Sequence, residues 1–483
     1  MSRRSQGVAI LVSAALLLGI SLLTRPINHD EGQYVGAIAL MRSGLPYRDF
    51  AYLQTPLQPL LLAPLSLLPA GWLLVGGRIA NALFGWLSLA LLLLGLRGRT
   101  PSWAALAAVV ALACTDVFLF GSSVARNDAL PMMLLSAAVA VLLQPGTLGQ
   151  RSYLAAGLLL GLATSAKISF ALPAAGAGLF LLSRWRQEGW RPFLSFTAGG
   201  VAGLVPTAVL AMLAPEQFYF SVFTYSLEAP QQWWASVGHA EMLTPWGKLH
   251  DLWKYSLNGS ILLGILAGAL DRRRMPQLLL LDCMIVGGLI TAYLPDPAFR
   301  QYLVPLLPPL FARLAITLGH MQPRMRRAAL LCLGALSIAG LSTTATDVRR
   351  SGRNGSELVR AVAIGSAVAE LARGGAVATL APDLVAGSNV DLDRRFATGP
   401  FLFRTEGALA QEALQLGYSP NWQRVRLLGN DMPSAVVVGT EDEARPPIHP
   451  NGLDWYLERW AIGRDYREHK LAGGLTLFLA PGR

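Results

Sequence analysis

Asn28-His29-Asp30-Glu31-Gly32-Gln33-Tyr34 places two carboxylates beside an imidazole just beyond the first long apolar stretch of the chain. Ionisable groups there are costly unless they pair, reach water or do chemistry. A carboxylate in that position suits a general base that takes a proton from a hydroxyl. Further charged positions follow: Arg126 and Asp128 in Ser123-Val124-Ala125-Arg126-Asn127-Asp128, Lys167 after Thr164-Ser165-Ala166, and Arg300 in Arg300-Gln301-Tyr302. One base with several cations is a sufficient set for transfer of a group from a phosphate ester, because a phosphate leaves without protonation when cations take up its charge. A glycosidase, by contrast, needs a second carboxyl to protonate a poor leaving group. Asp30, Glu31 and Asp128 are the candidate catalytic acids. Glu31 is its sequence neighbour, but adjacent helix positions diverge by about 100°, so the two do not read as a dyad. Each charge also has a plain structural role open to it. Asp30 can cap a helix over Asp30–Met41 in a capping box with Gln33. Asp128 can cap the next span, Lys167 can snorkel from a helix end, and Arg300 can anchor at an interface.

These residues need elements to hold them. The chain has 483 residues, 53% hydrophobic and 14% charged. That profile fits a mainly α, polytopic membrane protein and excludes an ordinary soluble enzyme. About eleven apolar stretches read as spans, taking about 15–20 residues as a crossing: 7–24, 73–96, 101–120, 129–143, 152–168, 170–183, 193–214, 257–270, 276–294, 301–319 and 328–343. The first has the basic start of a signal peptide, but Thr24-Arg25-Pro26 is a poor cleavage site, and it reads as a retained anchor. Arg3, Arg4, Arg97, Arg99, Arg151, Arg184, Arg186, Arg191, Arg272–Arg274, Arg324, Arg326 and Arg327 all fall on one side, which the positive-inside rule makes cytoplasmic. Asp30, Asp128, Lys167 and Arg300 then approach the opposite face together, as expected of an anion-handling exterior cavity. The formal charge of +11 reflects this topology and implies no nucleic-acid partner. Cys114, Cys283 and Cys332 lie inside apolar stretches, so no disulfide framework is expected.

Composition changes near residue 344, giving a membrane domain over 1–343 and an exterior α/β domain over 344–483. In the latter, 356–373 has helical spacing, with Ser356 as N-cap and Gly374 past the end. Ala376–Leu380, Ala435–Val438 and Leu475–Leu479 read as buried strands, and 407–417 and 452–460 as helices. The Asp30–Met41 helix is expected to lie on the membrane surface. The 215–256 loop is rich in Phe, Tyr and Trp, which suits contact with lipid headgroups. It also holds His239 and Glu241, spaced as metal ligands; two residues make a weak signal, and a divalent metal is the one cofactor the pattern leaves open.

In order, Asp30-Glu31-Gly32-x-Tyr34, Gly44-x-Pro46-Tyr47-x-Asp49-Phe50, Thr55-Pro56-Leu57, Arg126-x-Asp128, Lys167 and Tyr302-Leu303-x-Pro305-x-x-Pro308 resemble the GT-C superfamily of membrane glycosyltransferases. The resemblance is closest to the protein O-mannosyltransferase and aminoarabinose transferase group and covers roughly 8–320. Gly399-Pro400-Phe401 in the tail also looks like the tails of bacterial members. It implies an inverting transferase that moves one sugar from a polyprenyl-phosphate donor to a lipid, glycan or protein acceptor. The enzyme would be a multi-pass protein of the bacterial inner membrane, in contact with membrane lipids, with its site and C-terminal domain on the periplasmic side. Asp30 matches the family's proposed base, Asp128 its second-loop acid and Lys167 its lysine near the carrier phosphate. His29, Tyr34, Tyr47, Gln54, Arg126, Lys167, Arg300 and Tyr302 are the candidate substrate-binding residues. Gln54 is a departure: many relatives carry Lys there, so one phosphate-facing cation is replaced. A secondary transporter of an anionic or lipid-linked substrate is the alternative from another class, though no internal repeat supports it.

Overall fold

A computed structural model describes residues 3–146, 148–373, 375–418, 432–441 and 451–482. The expected spans are found as helical segments of differing length, that over 101–120 as two helices. Among the described residues six helices are long and apolar enough to cross a membrane: Ser5–Thr24, Trp72–Gly95, Arg191–Leu213, Pro276–Tyr293, Arg300–His320 and Pro323–Asn354. A seventh crossing forms if Ser102–Ala113 and Asp116–Ser123, bent by 64°, count as one. Ala129–Leu142 has 14 residues and Ile261–Leu270 has 10. At about 1.5 Å per residue these fall short of a core about 30 Å thick. By length and composition six or seven crossings stand, and the rest of the expected eleven are shorter apolar helices.

The chain forms two compact units, each from three segments. The first comprises Met1–Arg25, Ile79–Pro206 and Pro245–Arg350; the second comprises Pro26–Arg78, Thr207–Thr244 and Ser351–Arg483. Three helices recur below: α1 (Arg3–Thr24), α2 (Glu31–Leu40) and α3 (Trp72–Gly95).

The second unit is built on a five-stranded mixed sheet. Its strands are β1 (Ala376–Thr379), β2 (Asp391–Leu392), β3 (Ala435–Val438), β4 (Arg467–Lys470) and β5 (Thr476–Leu479), in the order β2-β1-β3-β5-β4. β1 runs parallel to β2 and β3, while β5 runs antiparallel to β3 and β4, with Val436 opposite Phe478. β3 and β5 are buried throughout, as their apolar runs require. β4, Arg-Glu-His-Lys, is a charged edge; such an edge resists pairing with another chain. It has no apolar run, and β2 has only two residues, so neither announces itself in the sequence. The predicted helices are present as Glu357–Ala372, Gly407–Gln415 and Asp454–Ile462. Ser356 holds the N-cap position but makes no side-chain cap bond, and Arg373 ends that helix in the left-handed region. Gly374 lies outside the described residues.

α2 is not a membrane-surface helix. Every residue from Glu31 to Leu40 is buried. A Cβ on Gly32 would lie 3.2 Å from Pro382, and one on Gly36 would lie 2.5 Å from the Ala397 carbonyl oxygen. These two small residues, one turn apart, let α2 press on the segments that surround the sheet. The contact is reinforced by Arg42, which donates to the carbonyls of Ser388 (2.8 Å) and Gly387 (3.0 Å). Ala70 N–H donates to Asn389 Oδ1 at 2.9 Å. The aromatic loop divides. Phe220, Tyr225 and Trp233 are core residues, and Phe220 and Tyr225 pack with Ala51, Leu53, Leu402 and Tyr418. Trp246 and Trp253 are exposed, as residues meeting lipid would be.

Candidate active site

In the second unit the chain enters α2 through a tight turn. Glu31 N–H donates to the Asn28 carbonyl (2.8 Å), and Asp30 N–H to Asn28 Oδ1 (3.2 Å). Asn28 thus performs the turn-forming role its side chain favours. The expected capping box does not form. Asp30 occupies the N-cap position with helical angles and makes no side-chain cap bond. Its carboxylate lies instead 3.0 Å from His29 Nε2, with side-chain exposures of 17% for Asp30 and 54% for His29. The His29 ring lies 5.8 Å from that of Phe401.

Glu31 is in a different situation. Arg78, from the first turns of α3, donates to it twice, Nε to Oε1 at 2.8 Å and Nη2 to Oε2 at 2.6 Å. Both side chains are fully buried. Asn28 N–H adds a bond to Glu31 Oε2 at 2.9 Å, and Arg78 also reaches the Pro26 carbonyl at 3.1 Å. This forked pair holds the turn and offers no lone carboxylate for proton transfer.

A third carboxyl, Asp383, approaches the same turn from the sheet domain. A Cβ on Gly32 would stand 3.2 Å from its Oδ1. It is 4% exposed. Burial, assisted by the Glu31 charge, pushes its pKa up to about 7, against the pull of its own backbone N–H, Arg78 and His29.

Tyr34 is buried with its ring 6.4 Å from that of Tyr52. Tyr47 is fully buried with a φ of 69°, its hydroxyl donating to the Gln54 carbonyl and its own carbonyl accepting from Tyr418 (2.9 Å). Burial pushes the Tyr47 phenol up, so it stays neutral. These contacts knit the 44–56 loop together.

The first unit gathers the other candidates. Asp128 precedes the helix Ala129–Leu142 without capping it. Its carboxylate instead pairs with Lys167 Nζ and with Arg126 Nε (3.1 Å). All three are at most 4% exposed, so Lys167 is a buried partner and does not snorkel. Lys167 occupies the break after the helix Gln150–Ala166, with extended backbone, and its ammonium lies 5.9 Å from the Tyr302 ring. Asn81 of α3 fixes the 123–128 turn by donating to the Val124 carbonyl (2.6 Å) and to that of Arg126. Asn127 ties it to the Ala166 carbonyl at 3.1 Å.

Arg300 pairs with Asp116 (3.1 Å) and lies 3.6 Å from the centre of the Phe120 ring. Arg25 reaches the other Asp116 oxygen at 3.2 Å and Asp347 at 3.3 Å. Arg126 and Arg25 also lie over Phe120, at 5.5 and 5.7 Å. One ring thus links the two ion-pair groups. Arg25, Arg126, Lys167 and Arg300 thus gather with Asp116, Asp128 and Asp347 in a largely buried place, a set of cations that suits an anionic ligand. Arg25, Arg78, Asp116, Asp347 and Asp383 were not singled out in the sequence. Arg78 and Asp116 carry the signal that could have found them: each is an ionisable residue inside an apolar run.

His239 Nδ1 and Glu241 Oε1 lie 3.2 Å apart at an exposed position. Among the described residues no group of three or more His, Cys, Asp or Glu is placed to hold a metal.

Residues 53–213, about a third of the chain, match the family described as dolichyl-phosphate-mannose-protein mannosyltransferase. None of the curated proteins compared matches the chain. Among solved structures, ArnT from Cupriavidus metallidurans bound to undecaprenyl phosphate is 15% identical, with a TM-score of 0.61 over 98% of this chain and 97% of that one. The same protein in the apo state is 16% identical, with a TM-score of 0.57 over 99% and 98%. The Saccharomyces cerevisiae protein O-mannosyltransferase Pmt1-Pmt2 complex bound to the sugar donor is 18% identical over 48% of this chain and 36% of that one, with a TM-score of 0.36. At such identities the likeness to ArnT establishes the fold alone: a mainly α, polytopic membrane bundle with a small mixed-sheet domain.

Proposed function

We propose that this chain is an inverting membrane glycosyltransferase that moves a single sugar from a polyprenyl-phosphate donor to an extracytoplasmic lipid, glycan or protein. One observation carries the reading. Asp30 stands at the entrance to α2 with its carboxylate partly exposed and 3.0 Å from the half-exposed ring of His29. Asp30 is the acid placed to accept a proton. It would take the proton of an acceptor hydroxyl as that oxygen attacks the anomeric carbon, while the bond from that carbon to the phosphate oxygen breaks. Lys167, Arg126 and Arg300 would take up the charge of the departing phosphate. If the acceptor is itself a phosphate, already anionic, Asp30 would position it and no proton would move. The fold shared with ArnT, solved with undecaprenyl phosphate, supports a polyprenyl phosphate as carrier. The basic residues on one side of the spans support a plasma-membrane protein with its site and sheet domain outside.

The test is mass spectrometry of envelope lipids and glycans from cells with and without the protein. Loss of one single-sugar substituent is the expected result. Identical profiles from cells grown where the protein is produced would refute the assignment.

A further inference from the structure

Asp383 is a carboxyl that the proposed mechanism does not use. It belongs to a short helical turn, Pro382–Val385, in which every residue is buried. It approaches the first turn of α2 at the one place where a glycine leaves room, since any side chain at position 32 would meet Pro382 and the Asp383 carboxyl. The titratable and charged groups that face it are Glu31 of α2, Arg78 of α3 and His29 of the entering turn. Arg78 gives its forked bonds to Glu31, and no ion pair to Asp383 forms among the described residues. Two buried carboxylates therefore share one guanidinium. Ionisation of Asp383 would add a second buried negative charge next to that of Glu31. Burial, with the Glu31 charge beside it, pushes the Asp383 carboxyl up to about 7, so it carries its proton below neutral pH.

We propose that Asp383 is a positioning residue of the Asp30 site: through its buried carboxyl the sheet domain sets the charge presented at the first turn of α2, beneath His29 and Asp30. The sheet domain is then a working part of that turn as well as a support for it. Ionisation of Asp383 adds a negative charge that raises the proton affinity of His29, repels Asp30 and loosens α2 from Pro382. The role rests on the assignment of Asp30 as base, but its first readout does not.

The experiment uses the full chain in detergent and in membranes from the producing cells. His29 is followed by NMR of isotope-labelled histidine, its signal identified by loss in His29→Gln. Asp383→Asn, neutral at every pH, should lower the His29 titration midpoint by about half a unit, since a neighbouring negative charge is removed. An unmoved midpoint overturns the proposal whatever Asp30 does. In membranes, transfer to endogenous acceptor is then compared at about pH 6.5 and about pH 8.5. The wild type should lose roughly tenfold or more as the protonated share of a group titrating near 7 declines. Asp383→Asn should show a nearly level ratio. A ratio equal to the wild type's, with His29 shifted, would reduce Asp383 to a bystander charge and also overturn the role. Transfer surviving in Asp30→Asn would remove the base assignment, and the His29 result would stand apart from it.

Discussion

Replacing Arg78 with Met removes the guanidinium from a pair with no exposure on either side. Two charge-assisted hydrogen bonds, at 2.8 and 2.6 Å, are lost, together with the one to the Pro26 carbonyl. The apolar stem keeps most of the volume, so the change is mainly electrostatic. Glu31 is left as a buried carboxylate whose counter-charge is gone. Breaking a buried pair from one side costs about 3–5 kcal/mol. A domain is stable by only about 5–15 kcal/mol, so this is a large share of the total. It corresponds to roughly two to four powers of ten in the folded-to-unfolded ratio. Glu31→Gln combined with Arg78→Met removes both charges and should cost less than Arg78→Met alone, because no unmatched ion remains. The assay is thermal unfolding of the detergent-purified chain, with limited proteolysis of the 26–78 segment as a local readout. Arg78→Met within about 0.5 kcal/mol of wild type, or a double variant costing the sum of the two single changes, would refute the reasoning.

Further outcomes follow from the same geometry. Lys167→Ala should raise the KM for a polyprenyl-phosphate sugar about tenfold or more, because one of the cations proposed to meet the phosphate is gone; unchanged donor kinetics would remove Lys167 from that role. Gly36→Ala should destabilise the second unit by about 1–3 kcal/mol, since its Cβ would meet a backbone carbonyl at 2.5 Å. Gly19→Ala in α1, where nothing lies within 4 Å, is the control and should be neutral or stabilising in thermal unfolding. Stability should fall as pH rises from about 4 to about 7. Asp383 stays protonated in the folded chain up to about 7 but ionises near 4 when unfolded, so the folded state holds the extra proton across that window. The share due to Asp383 should approach about 4 kcal/mol, so Asp383→Asn should lose correspondingly less, keeping only what other raised carboxyls such as Asp454 contribute; melting curves at several pH values that superimpose for the two proteins would contradict this.

Where sequence and structure agree, the reason is local. Apolar runs of helical length became helices, and the runs Ala435–Val438 and Thr476–Leu479 became the buried centre of a sheet. Arg126, Asp128 and Lys167 met as ion-pair partners because short turns fix each at a helix end. What stayed hidden depends on contacts far apart along the chain. The sequence around α2 reads as an amphipathic surface helix, since nothing local says that Gly32 and Gly36 will receive residues from around 382 and 397. For the same reason the capping box at Asp30 was a sound local expectation. It yields to a turn built by Asn28 and a pair made with His29. Glu31 looked like a second reactive acid until its partner was found 47 residues away.

The most direct test of the central claim is Asp30→Asn, which keeps the size and hydrogen-bonding shape of the side chain but cannot take up a proton. Membranes holding equal amounts of folded variant and wild type are supplied with the endogenous donor and a hydroxyl acceptor, and the glycosylated product is measured by mass spectrometry. The account predicts a rate lowered by about 10²–10⁴-fold with the melting temperature little changed. Turnover within a few-fold of wild type would contradict it.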